Sequence, residues 1–363
     1  MKKALLIGSL GAGLLSGAAT ASEFKQFRDW YAACDNLRNC SAYGFDTELL
    51  GGGISYLRIE RSGAPDAAAK ISITAEVPNG SKFTLRFDDP GLPGLPSEPQ
   101  TGEEIDGSDE ARRITIAGGE AMVDSLRKAQ KITITRDNPP DRTLKDDEKL
   151  SSISMSGAAA ALLWIDDQQK RLDTTTALVR RGPKPASAVP PQPNAPIIVA
   201  ARPVKDAKTP KPPADLLAKA RKACEGDTKA KFEEGDSLAA GLFLYSFSCP
   251  EMSGAYNMKS VYFIVPAGKP EAARAVSFRR WPVKVGDIVH DGDAVTATNS
   301  SFDPDSMTLN TFSKGRGIGD CGTEEAWVFD GKAFQLAELK LMSECKGVLP
   351  EDWPVVYRAQ VKR

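Results

Sequence analysis

Histidine is almost absent from this chain, because His290 is the only one among 363 residues. Zinc sites are built mainly from histidine and cysteine, and the six cysteines contain no Cys-x-x-Cys pair. A nucleophile–histidine triad would need His290 as its base, and no serine or cysteine lies near it along the chain. The sequence therefore contains no recognisable catalytic set, and we predict no catalytic, cofactor-binding or metal-binding residue.

A strong net charge and a membrane-spanning run are also missing. Forty-seven Lys and Arg against 48 Asp and Glu leave a formal charge of −1, which argues against nucleic acid as a partner. Beyond residue 21 no apolar run approaches the roughly 20 residues needed to span a bilayer.

The first 21 residues have the pattern of a cleavable signal peptide. Lys2 and Lys3 precede an uncharged apolar stretch, which ends in the small-residue site Ala19-Thr20-Ala21. We therefore expect export to the periplasm and a mature chain that starts at Ser22. Because residue 22 is not cysteine, nothing marks a lipoprotein.

Six cysteines in an exported chain predict disulfides. Six allow 15 pairings, and sequence alone does not choose among them. They fall into three local couples along the chain, so the economical hypothesis is Cys34–Cys40, Cys224–Cys249 and Cys321–Cys345.

Period-two alternation of apolar and polar residues dominates both halves of the chain. Ile71, Ile73 and Ala75 alternate with polar residues, as in a half-buried strand. A stretch of ten prolines, residues 182–215, divides the halves and favours extended chain. We predict an α+β protein with an N-terminal domain at 22–181, a proline-rich hinge at 182–215 and a β-rich domain at 216–363. Each domain is mainly antiparallel strand, with one or two short helices.

Residues 196–200 are too apolar for a free linker, so we expect them to dock as an edge strand.

Asp330-Gly331 is a strong two-residue hairpin signal, because both turn positions need positive φ. Such a turn places Trp327 opposite Phe334, with an aromatic cluster on one face and a disulfide closing the open end.

One segment is strongly acidic. Between residues 88 and 110 there are four prolines, eight carboxylates and no Lys or Arg, which predicts a long surface loop. The plain interpretation is a solvated loop; the functional one is a contact for a basic protein or Ca²⁺. The candidate binding residues are Asp88, Asp89, Glu98, Glu103, Glu104, Asp106, Asp109 and Glu110.

Other motifs are weak. The glycines of residues 315–320 fit neither a dinucleotide nor a P-loop fingerprint and indicate close backbone packing. Asp166-Asp167 and Glu324-Glu325 are carboxylate pairs, but glycoside hydrolysis depends on their separation in space.

Several stretches together resemble one family of exported bacterial proteins, domain of unknown function 1176. They are DWYAACDNLRNCSAYGF (29–45), LLWIDDQQKRLDTTTALVRRG (162–182), GAYN (254–257), and GRGIGDCG with WVFDGKAFQL (315–336). Trp30 before Cys34, Val77-Pro78-Asn79-Gly80 and the serine-rich strand that runs into Gly157 and its helix make the first half similar, more weakly, to invasion-associated locus B proteins. The resemblance implies a periplasmic location and brings no activity or catalytic residue, while the locus B likeness suggests host contact by analogy only.

Three functional hypotheses follow. The first is a non-enzymatic periplasmic binding or envelope-associated protein. The second is an inhibitor of a basic hydrolase such as lysozyme, acting through the acidic segment. The third is a carboxylate-based hydrolase of cell-wall glycan.

Overall fold

The structure is a computed structural model that describes residues 22–47, 53–77, 81–105, 108–116, 119–137, 149–204, 209–239, 241–285, 288–290 and 292–363. The predicted signal peptide lies outside these residues. The described chain is mainly antiparallel β-sheet with three short α-helices and three disulfides, so the α+β prediction is confirmed. None of the described helices has the length and hydropathy to cross a membrane.

The described residues of the first half form ten strands and two α-helices. They are β1 (Ser22–Phe27), β2 (Trp30–Cys34), β3 (Cys40–Phe45), β4 (Ser55–Arg61), β5 (Lys70–Glu76), β6 (Lys82–Phe87), β7 (Glu103–Ile105), β8 (Ser108–Ile116), α1 (Gly119–Leu126), β9 (Lys131–Asp137), β10 (Lys149–Ser154) and α2 (Ala158–Gln168).

The described residues of the proline-rich stretch and of the second half form one α-helix and short strands. They are β11 (Ile197–Val199), α3 (Leu216–Ala223), β12 (Lys231–Ala239), β13 (Leu242–Ser248), β14 (Lys259–Pro266), β15 (Arg274–Ala275), β16 (Phe278–Arg279), β17 (Val283–Val285), β18 (Ile288–His290), β19 (Asp293–Ala294), β20 (Thr296–Thr298), β21 (Ser301–Asp303), β22 (Thr308–Lys314), β23 (Gly322–Phe329), β24 (Phe334–Met342), β25 (Val355–Arg358) and β26 (Gln360–Lys362).

A nine-stranded sheet forms the central layer, in the order β18-β17-β1-β2-β3-β4-β5-β8-β7. One face packs on α1, α2 and the sheet β10-β9-β6. The other face packs on the second half of the chain, chiefly on the five-stranded sheet β21-β22-β23-β24-β25. Strands of the second half also join the central sheet, because β17 pairs in parallel with β1.

Strand β2 shows why the layers stack in this way. All five of its residues are buried, as expected of a strand covered on both faces. Trp30 and Ala32 contribute to the core with the helices, whereas Tyr31 and Ala33 contribute to the core with the second half. Opposite Trp30 lies Gly44, where an added Cβ would come within 2.7 Å of the indole ring. This approach requires glycine.

The predicted edge strand is confirmed. β11 pairs in parallel with β26 at the end of the chain, and Ile198 is buried while Ile197 and Val199 are exposed. The predicted domain boundaries stay a prediction. The core that joins the halves contains residues of both, from Phe24 to Tyr357.

The three local disulfides form as predicted, Cys34–Cys40, Cys224–Cys249 and Cys321–Cys345. The hairpin between β23 and β24 forms too, but its predicted register is wrong: Phe329, not Trp327, lies opposite Phe334. The physical reason is the Asp330 side chain, whose Oδ1 accepts backbone N–H groups of Lys332 and Ala333 at 2.8 Å each. This Asx-type interaction favours a four-residue loop over the two-residue turn.

Candidate functional site

Strand register places two rows of side chains on one face of the five-stranded sheet. Thr311, Glu325 and Leu339 lie opposite one another across β22, β23 and β24. Two residues further along each strand are Ser313, Thr323 and Leu341, on the same face because side chains alternate. These rows form the floor of a cavity of about 350 Å³, which we call the inner pocket.

The walls of the inner pocket come from five other strands, β14, β16, β17, β19 and β20, and from residues that follow β16 and β24. Lys259 of β14 and Thr298 of β20 are paired residues on one side. Phe278 of β16 and Trp281, which follows it, form an aromatic side. Hydroxyls, one carboxylate, two cations and aromatic rings therefore converge on a cavity within the size range of small-ligand sites.

The carboxylate and the amine of the pocket have different partners. Glu325 Oε2 accepts hydrogen bonds from Thr311 Oγ1 at 3.0 Å and from the Trp327 indole N–H at 3.2 Å. Lys259 Nζ donates to Thr298 Oγ1 at 2.7 Å. Among the described residues no carboxylate lies within 4.0 Å of this amine.

Burial lowers the pKa of Lys259, and the nearby Arg280 guanidinium lowers it further, while Glu325 acts in the opposite direction. Burial and Arg280 both disfavour the protonated, charged form of Lys259. A negatively charged group bound beside the amine would stabilise that form. The inner pocket is thus suited to a ligand with a negatively charged group.

A second cavity adjoins the first. It has a volume of about 690 Å³, and we call it the outer groove. Arg280 and Trp281 line both cavities. The Trp281 ring lies against Tyr357, with ring centroids 4.4 Å apart and planes inclined by 34°.

A buried polar cluster joins the two halves elsewhere. The Asp352 carboxylate accepts hydrogen bonds from Tyr56, Arg58 and Arg113, the last at 2.6 Å. Its backbone carbonyl accepts from the Tyr43 hydroxyl at 2.6 Å. Burial is the first cause that raises the pKa of Tyr56, and the Asp352 charge adds to it. Asp352 is 1% exposed, so its carboxylate is closed to solvent and forms a buried contact between the two halves.

The acidic segment is only partly the predicted loop. Residues 103–105 form β7 and residues 108–110 begin β8, so the predicted loop is wrong at its C-terminal end, where cross-strand pairing brings Arg112 within 3.4 Å of Glu104. The Asp88 carboxylate accepts the backbone N–H groups of residues 130 and 131. Asp106 and the Asp109 side chain lie outside the described residues. Exposed members are Asp88, Asp89, Glu98, Glu103, Glu104 and Glu110. Their role in partner binding stays a prediction.

The carboxylate pairs do not converge. Asp166 is fully buried and accepts the backbone N–H groups of Leu178 and Val179 at 2.8 Å each. Glu324 pairs with Lys340 at 2.9 Å, on the face of β23 opposite Glu325. Among the described residues that line the inner pocket, Glu325 is the one carboxylate.

Two further sequence features have structural explanations. Gly319 has a φ of 75°, which favours glycine. The close packing expected of these glycines is found at Gly315, where an added Cβ would lie 2.7 Å from Cys321 Sγ. In the described chain one close group of possible metal-ligand atoms exists, Asp320 with Cys321 and Cys345. Its two sulfurs are bonded to each other, and its carboxylate accepts from Arg316 Nε at 2.7 Å.

Sequence reasoning missed Lys259, Arg280 and Trp281 altogether, and considered Glu325 only within a carboxylate pair. A weak signal existed, because Glu325 directly precedes four apolar residues of the same strand, Ala326 to Phe329. The other three stand in segments without a recognised motif.

Comparisons with known proteins agree with the resemblance seen in the sequence. The model of the family described as protein of unknown function (DUF1176) matches residues 24–360. This chain belongs to that family. A relative, the uncharacterized protein YpfG of Escherichia coli (strain K12), is 33% identical over 221 residues, which is 59% of this chain and 61% of the relative.

One solved structure is similar to part of the chain. It is the crystal structure of invasion associated protein b from Bartonella henselae, with 14% identity and a TM-score of 0.30. The similar region covers 40% of this chain and 98% of that structure. A TM-score of this size supports no inference about function.

Proposed function

We propose that this protein is an exported, envelope-associated binding protein without enzymatic activity. Its ligand in this proposal is a small hydroxylated carboxylic acid, such as a sugar acid, held in the inner pocket. The single observation that carries the proposal is Lys259, a half-buried amine that contacts a hydroxyl and no described carboxylate.

Export is supported by the cysteine chemistry. The three disulfides use all six cysteines, and disulfides persist mainly in oxidising compartments such as the periplasm. The leader-like pattern of residues 1–21 points to the same location.

The lining of the pocket supports the ligand class. Lys259 and Arg280 supply positive charge for a carboxylate. Thr298, Thr323 and Glu325 offer hydrogen-bonding groups for hydroxyls. The aromatic side around Phe278 and Trp281 suits the apolar face of a sugar ring.

Isothermal titration calorimetry with galacturonic acid tests the proposal, with glucose as the neutral control. We expect binding of the acid and no heat with glucose. Lys259→Met should abolish binding, because it removes the cation while keeping the chain length. Lys269→Met is the matched control, since Lys269 is exposed and does not line the pocket.

Two results would contradict the proposal. One is the absence of heat with galacturonic acid at low ionic strength, where charge attraction is least screened. The other is equal binding by wild type and Lys259→Met, which would place the acid elsewhere on the protein.

A further inference from the structure

The inner pocket and the outer groove share a wall. Arg280 and Trp281 line both cavities. We propose that the two cavities form one cleft that binds an acidic oligosaccharide, with its terminal sugar acid in the inner pocket and the following units in the outer groove. This inference rests on the proposed function and goes beyond it by assigning a polymeric ligand.

The charges of the outer groove favour an anion. Its described lining includes the cations Arg279, Arg280 and Lys332, with Asp330 as the acid. Asp330 is occupied by its own turn, because Oδ1 accepts from two backbone N–H groups and Oδ2 accepts from Gln335 Nε2 at 3.0 Å. In a chain of formal charge −1, cations thus outnumber acids in both cavities.

The shape of the outer groove favours a chain of rings. The Trp281 ring is held at a fixed angle by Tyr357 and provides a planar apolar surface between the cavities. The lining also includes exposed apolar residues, because Ile197 and Val199 are 56% and 64% exposed. Sugar rings combine apolar faces with hydroxyl edges, so successive rings match a groove with both kinds of surface.

A repeating acid is the ligand that meets both requirements. Each unit of a uronic-acid oligomer carries one carboxylate and one ring, and the cleft presents cations along its length. When sugar units are linked and each unit contacts the cleft, the affinity of the oligomer exceeds that of the monomer. The reason is that, once the first unit is bound, the contacts of the next units form within the same complex.

Calorimetry with galacturonic acid, its dimer and its tetramer tests this inference, with an N-acetylglucosamine tetramer as the neutral control. The tetramer should bind about tenfold more tightly than the monomer, or better, equivalent to about 1.4 kcal/mol. The neutral tetramer should not compete.

A charge variant at the groove rim separates the two cavities. Val199→Glu places a negative charge in the outer groove and should remove the gain of the tetramer while leaving monomer affinity within about twofold. Val199→Lys is the matched control for loss of the apolar side chain and should keep more of the gain than Val199→Glu, because its charge attracts the acid. Both variants should keep the wild-type melting temperature, since Val199 is largely exposed.

The outcomes distinguish the two proposals. Equal affinity for monomer and tetramer, or a tetramer gain unaffected by Val199→Glu, would overturn the oligosaccharide inference and leave the inner-pocket function standing. Binding of the neutral tetramer as tightly as the acidic one would overturn the requirement for charge. No binding of either galacturonic acid or its oligomers would overturn both.

Discussion

The buried carboxylate of Asp352 should be one of the most sensitive positions for stability. It joins the two halves of the chain, because Tyr56, Arg58 and Arg113 of the central sheet all donate to it. The change to test is Asp352→Ala, which removes the charge and the acceptors together.

The magnitude follows from what the change leaves behind. Breaking a buried ion pair by removing one partner typically costs about 3–5 kcal/mol, because the remaining charge is buried and uncompensated. The Arg58 side chain is 15% exposed and keeps an ion pair with Glu60, whereas that of Arg113 is 26% exposed. These features place the expected loss at the lower end, about 3 kcal/mol.

Urea unfolding followed by tryptophan fluorescence measures this loss, since Trp30, Trp327 and Trp353 are buried in the cores on both sides of the central sheet. The neighbouring exposed residue provides a control, and Glu351→Ala should change the free energy of unfolding by no more than about 0.5 kcal/mol. If Asp352→Ala lowered the free energy of unfolding by less than about 1 kcal/mol, the reasoning would be refuted. Such a small loss would mean that water solvates Arg58 and Arg113 once the carboxylate is removed.

Three further outcomes are expected. Since burial and Arg280 lower the pKa of Lys259, affinity for galacturonic acid should fall as the pH rises, at a pH below that at which an exposed lysine loses its proton. Calorimetry across this pH range should show no such fall for Lys259→Arg, because arginine keeps its charge. Limited proteolysis should cut within residues 182–215 but spare the paired strand Ile197–Val199, and early cuts within 240–265 would contradict the predicted boundary. Changing the acidic residues between 103 and 110 to amides should abolish salt-sensitive capture of lysozyme at unchanged melting temperature; no heat with lysozyme or Ca²⁺ at low salt would leave the segment without a binding role.

Local features were readable from the sequence because neighbours along the chain decide them. Cysteine spacing predicted Cys321–Cys345, and the apolar run near Ile198 predicted an edge strand. The register at Asp330 was not readable in the same way. The dipeptide Asp-Gly favours a two-residue turn, but the Asp330 carboxylate binds two backbone N–H groups and closes a longer loop.

The inner pocket shows what sequence reasoning could not reach. Lys259, Trp281 and Glu325 are far apart along the chain and line one pocket because the pairing of β14 with β20 and of β22 with β23 places their segments around it. No periodicity encodes which strands become neighbours. A lysine at the start of a strand is therefore indistinguishable in sequence from an ordinary surface lysine.

The sequence by itself predicted the strand-rich α+β class, the family membership and, as the economical hypothesis, the local disulfides. Each depends on alternation, spacing or motif within a short stretch. Only the tertiary structure decided that strand β2 is buried on both faces, that Asp352 joins the central sheet to the second half, and that two cavities share Trp281. These features pair residues far apart along the chain. Their proximity depends on how whole layers pack, and packing is a property of all the contacts together.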